Sequence, residues 1–226
     1  MISSKLIIAE IGHNFNGDIE EAKKLIWATK ENGADIAKFQ LYDICTIKKP
    51  GDTHYQELKD SQLTKEQVIE LAEECKRAGI EFMASAFDRE RVGWLEEIGV
   101  KRHKIASRSI YDKDLIKAME KTGKPLIASL GAWNKPYLPK IKNCQFLYCL
   151  TRRDIEQFGV RDFPENFDTL AGFSDHTIGI EYAKEAIKRG AKIIEKHFTF
   201  DKNLPGCDQS ASMLPEELKI LWREFY

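Results

Sequence analysis

The chain has 226 residues, 35 of them Lys or Arg and 36 Asp or Glu, for a formal charge of −1 at neutral pH. That length suits one large α/β domain, and 42% hydrophobic with 31% charged residues fits a globular protein with a real core. With no basic excess to neutralise phosphates, the balance argues against a nucleic-acid partner.

Short apolar runs alternate with amphipathic ones along the whole chain. A first strand is predicted over 5–11. Asp18 then opens a helix that carries Ile19, Ala22, Ile26 and Thr29 on one face and stops near Gly33. The second strand covers 36–41, and a loop with Pro50 and Gly51 leads to a helix starting near Thr64. Val68, Leu71, Ala72 and Cys75 share one face of that helix, and Thr64 with Gln67 forms a capping-box pattern. Gly79 ends it, and a third strand follows over 80–85. The unit then repeats: helix 89–98 and strand 103–106, helix 113–121 and strand 126–130, a weak helix around Pro139 and strand 146–150. The stretch 151–170 is the least regular. Strand 171–174, helix 181–189, strand 192–198 and a helix from Pro215 complete the chain.

Strands alternating with helices predict a parallel sheet. Eight such units predict an α/β fold of the (β/α)8 TIM-barrel type, with residues 1–226 as a single domain. An open doubly wound sheet is the other option. The first strand, however, is not followed by the Gly-x-Gly-x-x-Gly turn that would favour it. The five cysteines are odd in number and include no Cys-x-x-Cys, so a disulfide framework is not expected. The N-terminal apolar run is too short for a signal peptide and no run reaches membrane-spanning length, so the expectation is a cytoplasmic protein with no membrane partner.

Polar residues gather at the predicted strand ends. Glu10 closes strand one. Lys38 and Gln40 lie two apart on strand two and share a face. Ser85 and Asp88 flank the end of strand three; Lys104 and Ser107 fall at strand four and Ser129 at strand five. Ser174 to His176 lie at strand seven, and Glu195 and His197 share a face of strand eight. Charged side chains in core strands are costly unless they are paired or line a site, and a barrel mouth accounts for all of them together. Each also has a plainer reading: Glu10 pairing with Lys38 inside the barrel, His176 serving the turn that opens the next helix, Cys207 incidental in a loop bearing Gly and Pro. Two imidazoles, His176 and His197, converging from neighbouring strands favour one divalent metal. Lysines and hydroxyls beside it suit a phosphate- or carboxylate-bearing substrate.

The segments IIAEIGHNFNG at 7–17, AKFQ at 37–40, KIAS at 104–107, TGKPLIASLG at 122–131, GFSDHT at 172–177 and IEKHFTFDKNLPGCD at 194–208 carry a resemblance that spans nearly the whole chain. With these the chain resembles the sialic acid synthase family, barrel domain only. The resemblance implies a (β/α)8 barrel and a condensation of phosphoenolpyruvate with an aldehyde sugar. The products would be a nonulosonic acid and phosphate, and the divalent metal Mn2+ or Mg2+ would assist. It implies His176 and His197 as metal ligands. Lys38, Ser85, Lys104, Ser107, Ser129 and Ser174 would hold phosphoenolpyruvate, and Glu10, Gln40 and Asp208 would face the reacting centre. A homodimer is compatible with it.

The chain departs from the family pattern in three places. Ser109, preceded by Arg108, stands where the family usually has Glu. The sixth strand runs into Tyr148-Cys149-Leu150-Thr151-Arg152-Arg153 instead of the usual His-Cys-x-x-x-Tyr-Pro. The family's C-terminal antifreeze-like domain is expected to be missing. The acceptor side is therefore read as rebuilt, for a sugar that carries negative charge. Two alternatives accompany this reading. One is a degenerate, non-catalytic homologue that binds a ligand or partner. The other is a Schiff-base aldolase or lyase using Lys38 or Lys104 on the same barrel.

Overall fold

Strands that are covered on both faces must be apolar along their length, and these are. β1 (Leu6–Gly12) is buried at every position, and so is β8 (Ile193–His197). Between them lie β2 (Ile36–Leu41), β3 (Glu81–Ala86), β4 (His103–Ile105), β5 (Leu126–Ser129), β6 (Cys144–Cys149) and β7 (Gly172–Asp175). In the computed structural model, which describes residues 5–150, 155 and 163–226, these strands pair in parallel and in sequence order. β8 pairs back onto β1, so the sheet closes into an eight-stranded barrel.

Among the described residues the helices include α1 (Ile19–Glu31), α2 (Ile44–Ile47), α3 (Tyr55–Asp60), α4 (Lys65–Ala78), α5 (Arg89–Ile98), α6 (Lys113–Lys121), α7 (Glu181–Lys188) and α8 (Pro215–Phe225). Local signals set their starts. The Asp18 carboxylate accepts from the Glu20 and Glu21 N–H groups, and Thr64 and Gln67 form the reciprocal capping box at the head of α4. Val68, Leu71 and Cys75 of α4 and Leu218, Leu221 and Phe225 of α8 turn inward onto the strands, in the main core between helices and barrel wall.

Inside the barrel the side chains change character with height. Leu6, Ile8, Ile36, Met83, Ile127, Leu147 and Ile193 form a separate apolar cluster. Two residues further along each strand, on the same face, stand Glu10, Lys38, Ser85, Ser129, Cys149 and Glu195. Register steps this layer around the barrel: Glu10 is opposite both Lys38 and His197, Ser85 opposite Lys104, and Ser174 opposite both Cys149 and Glu195, whereas Lys38 is opposite Met83, Lys104 opposite Ile127 and Glu195 opposite Ile8. The interior is thus an apolar plug beneath a charged floor.

Most predicted strands shift by one or two residues at an end, the ordinary slack of strand limits. Two differences go deeper. The helix expected around Pro139 is absent: residues 136–141 run as bends and extended chain. Pro136 and Pro139 each lack an N–H and bias the preceding residue out of helical geometry. The segment is instead tied by its aromatics. Trp133 stacks on Tyr111 at 5.0 Å between ring centres, and its indole N–H donates to the Tyr137 carbonyl at 2.6 Å. The loop after β2, expected to be structureless, contains α2 and α3, with Tyr42, Ile44 and Leu58 in a small core of their own. Most of the irregular stretch 151–170, including Thr151–Arg153, lies outside the described residues.

Candidate active site

The carboxyl ends of the strands surround a cavity of about 340 Å³. All eleven residues singled out for chemistry line it: Glu10, Lys38, Gln40, Ser85, Lys104, Ser107, Ser129, Ser174, His176, His197 and Asp208. The period of two in each strand puts the strand residues there, and Ser107, His176 and Asp208 reach the cavity from the segments after β4, β7 and β8. Ser107 stands slightly apart, in a helical turn after β4, where its hydroxyl accepts the Ala132 N–H at 2.8 Å.

The floor is one ion-pair network. Lys38 Nζ lies 2.5 Å from Glu10 Oε2 and 3.7 Å from Glu195 Oε2, and donates to Ser85 Oγ at 3.2 Å. Lys104 Nζ lies 3.3 Å from Glu195 Oε1 and donates to Ser129 Oγ at 2.7 Å. The Ser174 hydroxyl donates to Glu195 Oε1 at 2.9 Å, and the Gln40 amide to Glu10 Oε1 at 2.8 Å. The pairing of Glu10 with Lys38 is therefore real, and it belongs to the site. The two carboxylates differ in their ease of protonation. Burial raises both, but the Lys104 and Lys38 ammoniums bring Glu195 down to about 2. For Glu10 burial wins over Lys38, and repulsion by Glu195 adds to it, so its pKa is raised. The environments thus push the two carboxyls in opposite directions, the pattern of an acid–base pair. Burial also lowers the pKa of Lys104, against the pull of Glu195.

His176 and His197 stand above this floor with ring centres 5.3 Å apart and planes at 53°. Burial, and then the neighbouring ring, brings His176 down to about 4; burial lowers His197 too. Both shifts favour the neutral imidazole, the form that binds a metal. His197 Nδ1 is buried without a hydrogen-bond partner, and Asp208 Oδ2 lies 3.5 Å from His197 Nε2. Burial opposes charge on Asp208, but His197 and His13 hold its carboxyl far below the usual range. Two imidazoles this close offer a pair of nitrogen donors that suits a divalent cation.

Some wall residues had no assigned role in the sequence. Glu195 is central to the network, and its signal was present: it shares a face with His197. Asp175 and Lys196 form a fully buried pair at 3.0 Å that reaches the wall, with Nζ also donating to the Thr177 carbonyl at 2.7 Å. Phe87, Arg108 and Cys149 line it as well, and the Arg108 guanidinium sits 5.5 Å from the Phe87 ring centre. Ser109 is buried beside the cavity wall and forms no part of it. Cys207 is not incidental: its sulfur lies 3.7 Å from His13 Nε2.

Barrel and mouth together define the class: this is a (β/α)8 barrel with a charged cavity at the carboxyl ends of its strands, the face where enzymes of this fold carry their sites. Residues 25–226 match the NeuB family, and the chain belongs to that family. It is 36% identical over 247 residues to the N,N'-diacetyllegionaminic acid synthase of Legionella pneumophila, covering 95% of this chain and 69% of that protein. Human N-acetylneuraminate-9-phosphate synthase is 32% identical over 244 residues, covering 96% of this chain and 68% of that protein. Among solved structures, the sialic acid synthetase of Leptospira borgpetersenii, crystallised with citrate, superposes with a TM-score of 0.83 at 29% identity, covering 99% of this chain and 83% of that one.

Proposed function

We propose that the chain condenses phosphoenolpyruvate with the open-chain aldehyde of an amino sugar, giving a nonulosonic acid and phosphate, and that the barrel of residues 1–226 is the unit that does so. The observation that carries this reading is the charged floor. Lys38 and Lys104 each rest on a serine hydroxyl and a carboxylate, at the mouth of a barrel whose relatives are sialic-type acid synthases.

Phosphoenolpyruvate carries a phosphate and a carboxylate, and both suit this floor. Lys38 with Ser85 and Lys104 with Ser129 supply charge-assisted hydrogen bonds to them. Ser174 and Ser107 add hydroxyls on the other side of the cavity. The methylene carbon of phosphoenolpyruvate forms the new bond to the aldehyde carbon. Water then adds at the carbon bearing the phosphate, and the carbon–oxygen bond breaks to release phosphate. Glu10, with its raised pKa and its Oε1 fixed by Gln40, gives a proton to the former aldehyde oxygen. Asp208 stays ionised, orients His197 and accepts a proton from the adding water. His176 and His197 would hold Mn2+ or Mg2+, which when bound supplies Lewis-acid polarisation of the acceptor carbonyl. Arg108 at the cavity wall favours an acceptor that bears negative charge.

The test is phosphate release from phosphoenolpyruvate across a panel of aldehyde sugars, with and without manganese. Release that requires both an aldehyde and the metal supports the reading. Tight phosphoenolpyruvate binding with no release for any aldehyde would make the chain a non-catalytic homologue.

A further inference from the structure

A second cluster of donors stands beside the mouth, built from three segments far apart in sequence. His13 follows β1, Glu57 lies on α3, and Cys207 and Asp208 lie in the loop after β8. His13 Nε2 is 3.1 Å from Asp208 Oδ2 and 3.7 Å from Cys207 Sγ, and the three donor atoms all lie within 4.8 Å of one another. Zinc bonds of about 2.0 Å to nitrogen or oxygen and about 2.3 Å to sulfur, at tetrahedral angles, put donors about 3.3 Å (N to O) and about 3.5 Å (N to S) apart. The observed separations are close to both.

The far side of the imidazole is also arranged. Glu57 Oε1 lies 3.2 Å from His13 Nδ1 and accepts the Cys207 N–H at 3.0 Å. His13 Nδ1 is buried and makes no hydrogen bond, so Glu57 stands as the carboxylate nearest to the nitrogen facing away from the proposed metal, the place from which a ligating ring is usually held. The loop itself is braced. The Gln209 amide donates to the Asn14 carbonyl at 3.0 Å, and the Asn14 amide donates to the Phe198 carbonyl at 2.9 Å. Gly206, with φ of 148°, lets the loop come close: a Cβ there would lie 2.9 Å from Gln209 Cγ and 3.3 Å from Glu57 Oε1.

We propose that His13, Cys207 and Asp208 form a second metal site, selective for a thiophilic divalent cation of the zinc class. Its fourth position is open to water. The thiol proton goes to solvent on binding. Thiolate as a ligand separates this site from the histidine pair, because soft sulfur favours zinc and disfavours manganese or magnesium. The site would clasp the loop after β8 to the turn after β1 and so fix Asp208 beside His197.

The experiment is cobalt titration of the chelator-stripped full chain, read by absorption. The expected result is a thiolate-to-cobalt charge-transfer band with tetrahedral ligand-field features, displaced by one equivalent of zinc. Cys207→Ser should abolish the charge-transfer band, with circular dichroism and melting of the metal-free protein confirming the fold. His13→Ala should weaken cobalt binding. Glu57→Gln should weaken zinc about 10–100-fold, the usual range for a carboxylate behind a ligating histidine. The band should survive in a His176→Ala, His197→Ala double variant, so failure of the catalytic metal reading and failure of this one are distinguishable. Absence of any thiolate band in the parent chain overturns the proposal, as does a band unchanged in Cys207→Ser. A band that disappears in His54→Ala while persisting in His13→Ala would overturn it too, since His54, Glu57 and Cys207 form the competing donor set.

Discussion

Lys38 touches two carboxylates and a hydroxyl, so its loss has two separable effects. In Lys38→Met, and equally in Lys104→Met, phosphoenolpyruvate loses one charge-assisted contact. We expect its affinity to fall about 10–100-fold, while acceptor affinity changes much less. Calorimetry with each substrate alone checks this, and equal losses for both would contradict the assignment. His176→Ala and His197→Ala should each remove manganese binding and leave the far-ultraviolet dichroism intact, because residues at the mouth contribute little to the core. At the opposite end of the barrel, His103 offers a pH signature. It is fully buried, its Nε2 lies 2.8 Å from Glu96 Oε1, and burial lowers its pKa below the ordinary 6.5. Below that value the unfolded chain takes a proton that the native ring resists. The stabilisation is therefore complete above pH 6.5 and is lost as the pH falls toward the folded value. Glu96 is depressed below the usual carboxylate value, so its share is lost only in a lower, separate window. We expect the fall in melting temperature between about pH 7 and 5 to be shallower in His103→Phe than in the parent chain. Parallel slopes would remove His103 from the account.

At the level of elements, closure of the barrel depends on how nearly β7 and β8 can approach. Gly172 sits where a Cβ would lie 1.8 Å from the Ile193 carbonyl oxygen and 2.8 Å from the Ile193 nitrogen. These are backbone atoms of the neighbouring strand, so no side-chain rotation relieves the clash. Gly172→Ala should cost more than about 3 kcal/mol, in the range reserved for a named steric failure. Denaturant unfolding measures it, and a loss under about 1 kcal/mol would mean the sheet can shift to make room. The same pair of strands presents Ser174 opposite Glu195 and leads on to His176 and His197, so distortion here should weaken phosphoenolpyruvate binding as well. Element limits and types were legible where caps were local: Asp18, and Thr64 with Gln67, each bond the first turn of the helix they open, whereas Asp88, grouped with the polar strand ends, caps α5 and does not line the cavity. The helix expected around Pro139 does not form, because Pro136 and Pro139 both oppose it. Helices α2 and α3 were missed because each is too short to display a period.

For the molecule as a whole, the departures from the family pattern bear on the proposed acceptor side. Arg108 reaches the cavity, Ser109 does not, and the chain spans about seven-tenths of the length of the legionaminic and neuraminic relatives. We expect N-acetylmannosamine to be a poor acceptor for the 226-residue chain compared with an anionic sugar. Steady-state phosphate release compares them, and efficient turnover of N-acetylmannosamine would show that Arg108 and Ser109 are tolerated variations on the ordinary enzyme. No helix among the described residues is long and apolar enough to cross a membrane. The sequence by itself determined the barrel and the members of its mouth. Apolar runs alternating with amphipathic ones dictate strands wrapped by helices, and a two-residue period places Glu10, Lys38, Ser85, Ser129, Glu195 and His197 on inward faces. Tertiary structure alone decided the partners. Whether Glu195 answers Lys38, Lys104 or both depends on register around a closed sheet, and it answers both. The meeting of His13 with Cys207, 194 positions apart, depends on two loops folding over the same rim. Local periodicity encodes which way a side chain points; only closure of the barrel brings the ends of the chain together and sets the distances on which charge and coordination depend.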